Sequence, residues 1–252
     1  MNGQTVIETH DLTKVYGEQV AVDHLNLKID QGEVFGFLGP NGAGKTTTLL
    51  MLLGLSEPTS GEVWVCGFNP SREALKVKRV VGYLPENVGF YEDMNAVQAL
   101  KYIGRLNGIP DEISTLKIKE LLKLVDLQAE SKKRVGQYSR GMRQRLGIAE
   151  VLLKEPQVVF LDEPTLGLDP DGSIQILELI QSLSRDKKIT IFFCSHLLDQ
   201  VQKISHRVGI MIKGNLVAVG RIDDLAKEKL GVGQERYTLE EIYMKYFKEG
   251  QS

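Results

Sequence analysis

Eight consecutive residues, Gly39-Pro40-Asn41-Gly42-Ala43-Gly44-Lys45-Thr46, fit the pattern G-x-x-x-x-G-K-[ST] and directly follow the apolar run VFGFL. A loop of this kind between a buried strand and a helix is suited to holding phosphates. Its glycines let successive N–H groups curl inward onto phosphate oxygens, the helix N-terminus adds the positive end of its dipole, and Lys45 brings a mobile charge. Thr46 is placed to hold Mg²⁺ through its hydroxyl, and Thr47 to reach an α-phosphate. A second apolar run, VVFLD, ends in the adjacent acids Asp162 and Glu163, at the strand end where open α/β sheets bind ligands. Phosphoryl transfer needs one carboxylate in the magnesium shell and one group to position or deprotonate the attacking water. Asp162 fits the first role and Glu163 the second. Neighbouring side chains on a strand point to opposite faces, so the two acids are expected to do different work. A third carboxylate, Glu86, stands just past the strand-like VVGYLP. Together these residues predict a nucleoside triphosphatase, and with no N-K-x-D tetrad in the sequence GTP is not the expected nucleotide.

The elements that must position these residues are those of an α/β domain. VFGFL, VVFLD and ITIFFC read as short buried strands of a parallel sheet. TTTLLMLLGL, MRQRLGIAEVLL, IQILELIQSLS and LLDQVQKIS read as the helices between and beside them. Val20, Val22, Leu25, Leu27 and Ile29 predict a half-buried antiparallel strand. From about residue 93 to 155 the buried-strand pattern disappears, which predicts a helical subdomain. Near the end, Thr238 and Glu241 form a capping-box pattern ahead of Leu239, Ile242, Tyr243, Tyr246 and Phe247, the stripe of a docked terminal helix. A net charge of -2 gives no basic excess of the kind a dedicated nucleic-acid binder carries. Cys66 and Cys194 are too few for a disulfide framework and lack zinc-ligand spacing, which favours a reducing compartment. No basic-then-apolar leader and no uncharged apolar run of about 18 residues is present, so direct membrane insertion is not expected and a cytoplasmic chain is.

Tyr138-Ser139-Arg140-Gly141-Met142-Arg143-Gln144-Arg145 stands upstream of Asp162 and opens the helix MRQRLGIAEVLL. Here the chain resembles the ATP-binding cassette (ABC) family, whose signature is usually L-S-G-G-Q. Ser139 and Gly141 match it, while Tyr138, Arg140 and Met142 depart from it in the manner of the ABC-2 exporter branch. In isolation Ser139 would be a helix cap. The motifs nevertheless stand in family order: Tyr16 as the aromatic that stacks on adenine, the phosphate loop, the signature, the Asp162 strand, the D-loop Gly167-Leu168-Asp169, and His196. The resemblance covers about residues 4–220, leaving 221–252 as a C-terminal helical extension. It implies a P-loop NTPase fold with a RecA-like core, an antiparallel β subdomain and an α-helical subdomain. It also implies ATP and Mg²⁺, with Thr46, Asp162 and Glu86 on the metal side and Glu86 standing where the family's Q-loop has glutamine. Lys45, Glu163 and His196 are implied as catalytic, Glu163 as base and His196 as reader of the γ-phosphate, and Asp169 as a nucleotide-side residue.

One phosphate loop and one signature per chain further imply a head-to-tail homodimer, in which Ser139 and the Gly141 amide cap the phosphate held by Lys45 of the other copy. With a single cassette and no long coiled-coil insertion, the resemblance favours a transporter ATPase driving a separate integral membrane permease, peripheral at the inner face of the cell membrane. The motif variants look most similar to the ATPase of the copper-linked system that matures nitrous oxide reductase. They also resemble drug, sodium and polysaccharide exporter ATPases. A soluble cassette ATPase acting on nucleic acid or another macromolecule is the alternative class.

Overall fold

The computed structural model describes residues 4–230 and 237–249. The chain opens with two long strands, β1 (Thr5–Tyr16) and β2 (Gln19–Asp30), followed by β3 (Val34–Leu38), α1 (Lys45–Leu52), β4 (Ser60–Val65), α2 (Ala74–Val80) and β5 (Val81–Leu84). Three helices come next, α3 (Ala96–Leu106), α4 (Asp111–Leu124) and α5 (Arg140–Leu152). Alternation then resumes with β6 (Val158–Asp162), α6 (Pro170–Lys187), β7 (Thr190–Ser195), α7 (Leu198–Ile204), β8 (Arg207–Ile212) and β9 (Asn215–Gly220). The described chain closes with α8 (Ile222–Leu230) and α9 (Leu239–Glu249).

Six strands form the central sheet in the order β5-β6-β7-β3-β8-β9. The first five are parallel and β9 returns antiparallel at the edge. Strand period sorts the side chains between two cores. Val159, Leu161, Ile191 and Phe193 face α5, α6 and the helical segment. Val158, Phe160, Phe35, Phe37 and Phe192 face α1 and the antiparallel sheet β2-β1-β4. On that second side Phe192 lies 5.1, 5.6 and 5.8 Å from the rings of Phe37, Phe160 and Phe35. Each such ring contributes roughly 1.5–3 kcal/mol by leaving water, so the strands that carry the phosphate loop and the paired acids are anchored by one aromatic cluster.

Between residues 93 and 155 the backbone is helical apart from turns, one 3-10 turn at Val135–Gln137 and a single bridge between Asn95 and Arg134. The caps of these helices are local. Asn95 and Gln98 close a reciprocal capping box on α3, and the Ser139 hydroxyl accepts the Met142 N–H at 3.2 Å to start α5. At the C-terminal end Thr238 and Glu241 cap α9 in the same reciprocal way. Leu239, Ile242 and Tyr246 are buried there, with Tyr243 and Phe247 packed beside them.

Strand β2 departs from the regular alternation expected of it. Val22, Leu25, Leu27 and Ile29 are buried, but Val20 is 47% exposed. His24 adopts φ 44°, and the register against β1 shifts on either side of Leu12, the residue paired with Leu25. A bulge of this kind adds one residue and reverses which face later side chains occupy. Inward positions therefore pass from even to odd numbers across His24.

Candidate functional site

The phosphate loop leaves β3 and turns into α1 through backbone that only glycine accommodates. Gly44 has φ 104°, and a methyl group added there would lie 2.3 Å from the Ala21 carbonyl oxygen. At Gly39 the same methyl would lie 2.4 Å from the carbonyl oxygen of Met211. Strands on both sides thus press the loop into its curl. Lys45 is 7% exposed, and its ammonium donates to the carbonyls of Gly39 at 2.7 Å and Pro40 at 3.1 Å, which folds the side chain back along the loop. Asn41, Gly42, Gly44, Lys45, Thr46 and Thr47 line a cleft of about 350 Å³ with Tyr16, Glu86, Asp162 and Glu163. Pro40 and the buried Ala43 shape the loop from behind. Tyr16, 49% exposed, stands at the mouth under the Lys14 ammonium.

Asp162 is the last residue of β6 and shares the strand face of Val158 and Phe160, which points it toward α1. The Thr46 hydroxyl donates to its Oδ2 at 3.3 Å. Burial raises the Asp162 carboxyl above the ordinary aspartate value; the Thr46 bond and Lys45 oppose that shift, while the charges of Glu163 and Glu86 add to it. Hydroxyl and carboxylate oxygens side by side are the donors a hard divalent cation takes, and Mg²⁺ commonly completes its shell with water and substrate phosphates. Thr46 and Asp162 therefore fit such an ion, with Glu86 close enough to act on the same charge. Among the described residues no cluster of three or more His, Cys, Asp or Glu side chains is arranged as an all-protein metal cage.

Glu163 corrects the expectation drawn from strand alternation. It does not continue β6 to the opposite face: its φ of 48° turns the chain out of the strand, and its carboxylate lines the same cleft as Asp162. The turn is held by its own N–H bonding to the Cys194 carbonyl at 3.0 Å. Its two oxygens have separate partners. His196 Nδ1 lies 2.8 Å from Oε1, and the Ser195 hydroxyl donates to Oε2 at 3.3 Å. A carboxylate that accepts from Nδ1 would fix the imidazole proton on that nitrogen. His196 thus reaches the cleft through Glu163. Gln19 and Ala21 also line the cleft, and Ser195 supports Glu163. Gln19 and Ala21 stand in no motif, and Ser195 stands in the Cys-Ser-His run beside His196 without a role assigned by it.

Ser139, Gly141 and Asp169 lie elsewhere. With Arg140, Gly167 and Leu168 they line a second cleft of about 360 Å³, which shares no lining residue with the first. Asp169 accepts the Gly172 N–H at 3.1 Å and so caps α6. The turn from Glu163 to Asp169 joins the clefts, tightened by the Leu166 N–H on the Glu163 carbonyl and the Leu168 N–H on that of Thr165.

Residues 22–166 match the family model described as ABC transporter. Over 223 residues the chain is 46% identical to the bacitracin transport ATP-binding protein BcrA of Bacillus licheniformis, covering 88% of this chain and 72% of that one. It is 34% identical over 242 residues to the probable multidrug ABC transporter ATP-binding protein YbhF of Escherichia coli, covering 96% of this chain and 42% of that one. A solved ATP-binding subunit of an ABC transporter superposes with TM-score 0.85 at 27% identity, over 96% of this chain and all of that one. The cbiO1 subunit from Clostridium perfringens, part of the ABC transporter complex cbiONQ, superposes with TM-score 0.81 at 28% identity, over 90% and 93% of the two chains. Among the described residues no helix is long and apolar enough to cross a membrane. The phosphate cleft, the fold and these relatives agree: this chain belongs to the ABC transporter family, as an ATP-binding and ATP-hydrolysing subunit.

Proposed function

We propose that the chain works as a head-to-tail homodimer that closes on ATP and drives a separate membrane permease in the export of a drug or peptide antibiotic. The observation that carries this reading is the separation of the two clefts: one chain presents a phosphate loop on one surface and a signature on another, so each is half of a site. In the paired form Lys45 and the loop amides hold the phosphates, Tyr16 stacks on the adenine, and Ser139 with the Gly141 amide of the other copy caps the terminal phosphate. Thr47 lies along the α-phosphate. Thr46 and Asp162, with Glu86 beside them, would hold Mg²⁺, which would neutralise phosphate charge. Glu163 takes the proton of the attacking water, and His196 orients Glu163 and reads the terminal phosphate. Asp169 ties the D-loop to α6, so movement at one cleft is felt at the other.

The names of the relatives support the cargo class: bacitracin for one and multidrug for another. They lend no support to the copper-linked reading. Driving a permease would place the chain at the inner face of the membrane. In the Glu163→Gln protein, size-exclusion chromatography with ATP is expected to give a dimer, and turnover to fall about 100-fold or more, as loss of a general base commonly does. A monomer that hydrolyses ATP at the ordinary rate would overturn the reading. Cells producing the chain with its permease are expected to tolerate more cyclic peptide antibiotic than cells carrying Glu163→Gln.

A further inference from the structure

Arg140 stands where the usual signature has glycine, and the second cleft shows where it goes. Its guanidinium lies against Gly167: a methyl group added to that glycine would sit 2.5 Å from Nη1 and 2.8 Å from Cζ. Both residues line the cleft with Ser139, Gly141 and Asp169. The other charges around the cleft are differently placed. Arg145 is held by the Asp126 carboxylate at 3.3 Å and by the carbonyls of Val125 and Asp126. Asp169 is occupied at the start of α6, and Asp171 adds a second negative charge to the same wall. Among the described residues Arg140 makes no hydrogen bond or ion pair. The cleft therefore offers an incoming anion two carboxylates and one uncommitted cation, set beside Ser139 and Gly141. Packing on Gly167 uses the length of the arginine side chain but not its charge.

We propose that Arg140 is a phosphate-binding residue acting in trans: on pairing, its guanidinium leaves Gly167 and donates to the terminal phosphate of the nucleotide held by the Lys45 loop of the other copy. The inference rests on the paired-cassette reading and adds a residue to it. A planar guanidinium matches two phosphate oxygens at once and stays charged at any working pH. It also offsets Asp169 and Asp171, which would otherwise repel the same phosphate.

The test places Arg140→Met and Arg140→Lys in the Glu163→Gln protein and follows ATP-induced dimer by analytical ultracentrifugation. Methionine keeps much of the reach without the charge and is expected to raise the ATP concentration at half-dimer about tenfold, the value of one charge-assisted bond. Lysine is expected to restore most of the loss. ATP affinity at protein concentrations too low for pairing is expected to stay unchanged, because the Lys45 loop of each chain is intact. Arg140→Met dimerising at the unaltered ATP concentration would overturn the proposal and leave Arg140 as packing on Gly167. Weakened ATP binding by the Arg140→Met monomer would also overturn it. If the parent Glu163→Gln protein fails to dimerise on ATP, the paired-cassette reading fails first.

Discussion

Three carboxylates, Glu86, Asp162 and Glu163, face one cleft whose cations are Lys45 and whatever binds there. Asp162 bears the cost, because burial and its acidic neighbours hold its folded pKa above the unfolded value. Below the unfolded pKa the group is protonated in both states and costs nothing; as pH rises through the folded pKa the ionised form destabilises the fold, fully so at neutral pH. Asp162→Asn is therefore expected to raise the Tm of the nucleotide-free protein at pH 7. The gain is expected to fade as the pH drops toward the ordinary aspartate value, and ATP hydrolysis to be lost. A Tm that falls at pH 7 would show that Asp162 is a net stabilising contact through Thr46. Glu86→Gln removes one charge from the same group and is expected to leave ATP binding intact while raising the Mg²⁺ concentration for half-maximal turnover by about tenfold, the lower end for an outer partner of a metal. An unchanged Mg²⁺ requirement together with unchanged permease-stimulated turnover would make Glu86 a surface charge.

At the scale of elements, legibility followed periodicity. The runs VFGFL, VVFLD and ITIFFC are continuous and apolar, and they are β3, β6 and β7. The phosphate loop was readable because glycines at fixed spacing are a backbone requirement, seen here in the close carbonyl contacts at Gly39 and Gly44. What periodicity cannot carry is the residue that leaves the pattern. His24 and Glu163 both adopt φ values that favour glycine; the apolar positions of β2 pass from Val20 and Val22 to Leu25, Leu27 and Ile29 around His24, but nothing in the pattern marks Glu163. At His24 the result is a reversed face in β2; at Glu163 it is a second carboxylate in the cleft instead of behind it. The terminal stripe was legible for the opposite reason, since its cap and its apolar spacing agree. Helix α9 docks through Leu239, Ile242 and Tyr246, and a terminal helix held by so few side chains is expected to open locally. Ile242→Ala removes a fully buried side chain, a change of about 2–5 kcal/mol in a core. Hydrogen exchange is expected to show lost protection in α9 with α5 and β6 unchanged. Loss of protection in β6 as well would make α9 part of the global fold.

At the scale of the whole molecule, the proposed head-to-tail pairing of a chain with two disjoint clefts predicts complementation. Lys45→Ala destroys the phosphate loop of a chain and leaves its signature; Ser139→Arg blocks the signature and leaves the loop. In the proposed head-to-tail pairing, each variant alone would form only dimers in which both composite sites carry one defect. Mixed dimers place the intact loop of one chain against the intact signature of the other and collect both defects at the second site. In an equal mixture half the dimers are mixed, and each has one good site of two. If sites fire independently, the mixture is expected to recover about a quarter of wild-type turnover, as symmetric pairing requires. ATPase assays of the variants separately and after co-dissociation check this. Full activity of Ser139→Arg alone would mean that the Lys45 cleft works without a partner, and the two surfaces would then have to be coupled through the Glu163–Asp169 turn within one chain.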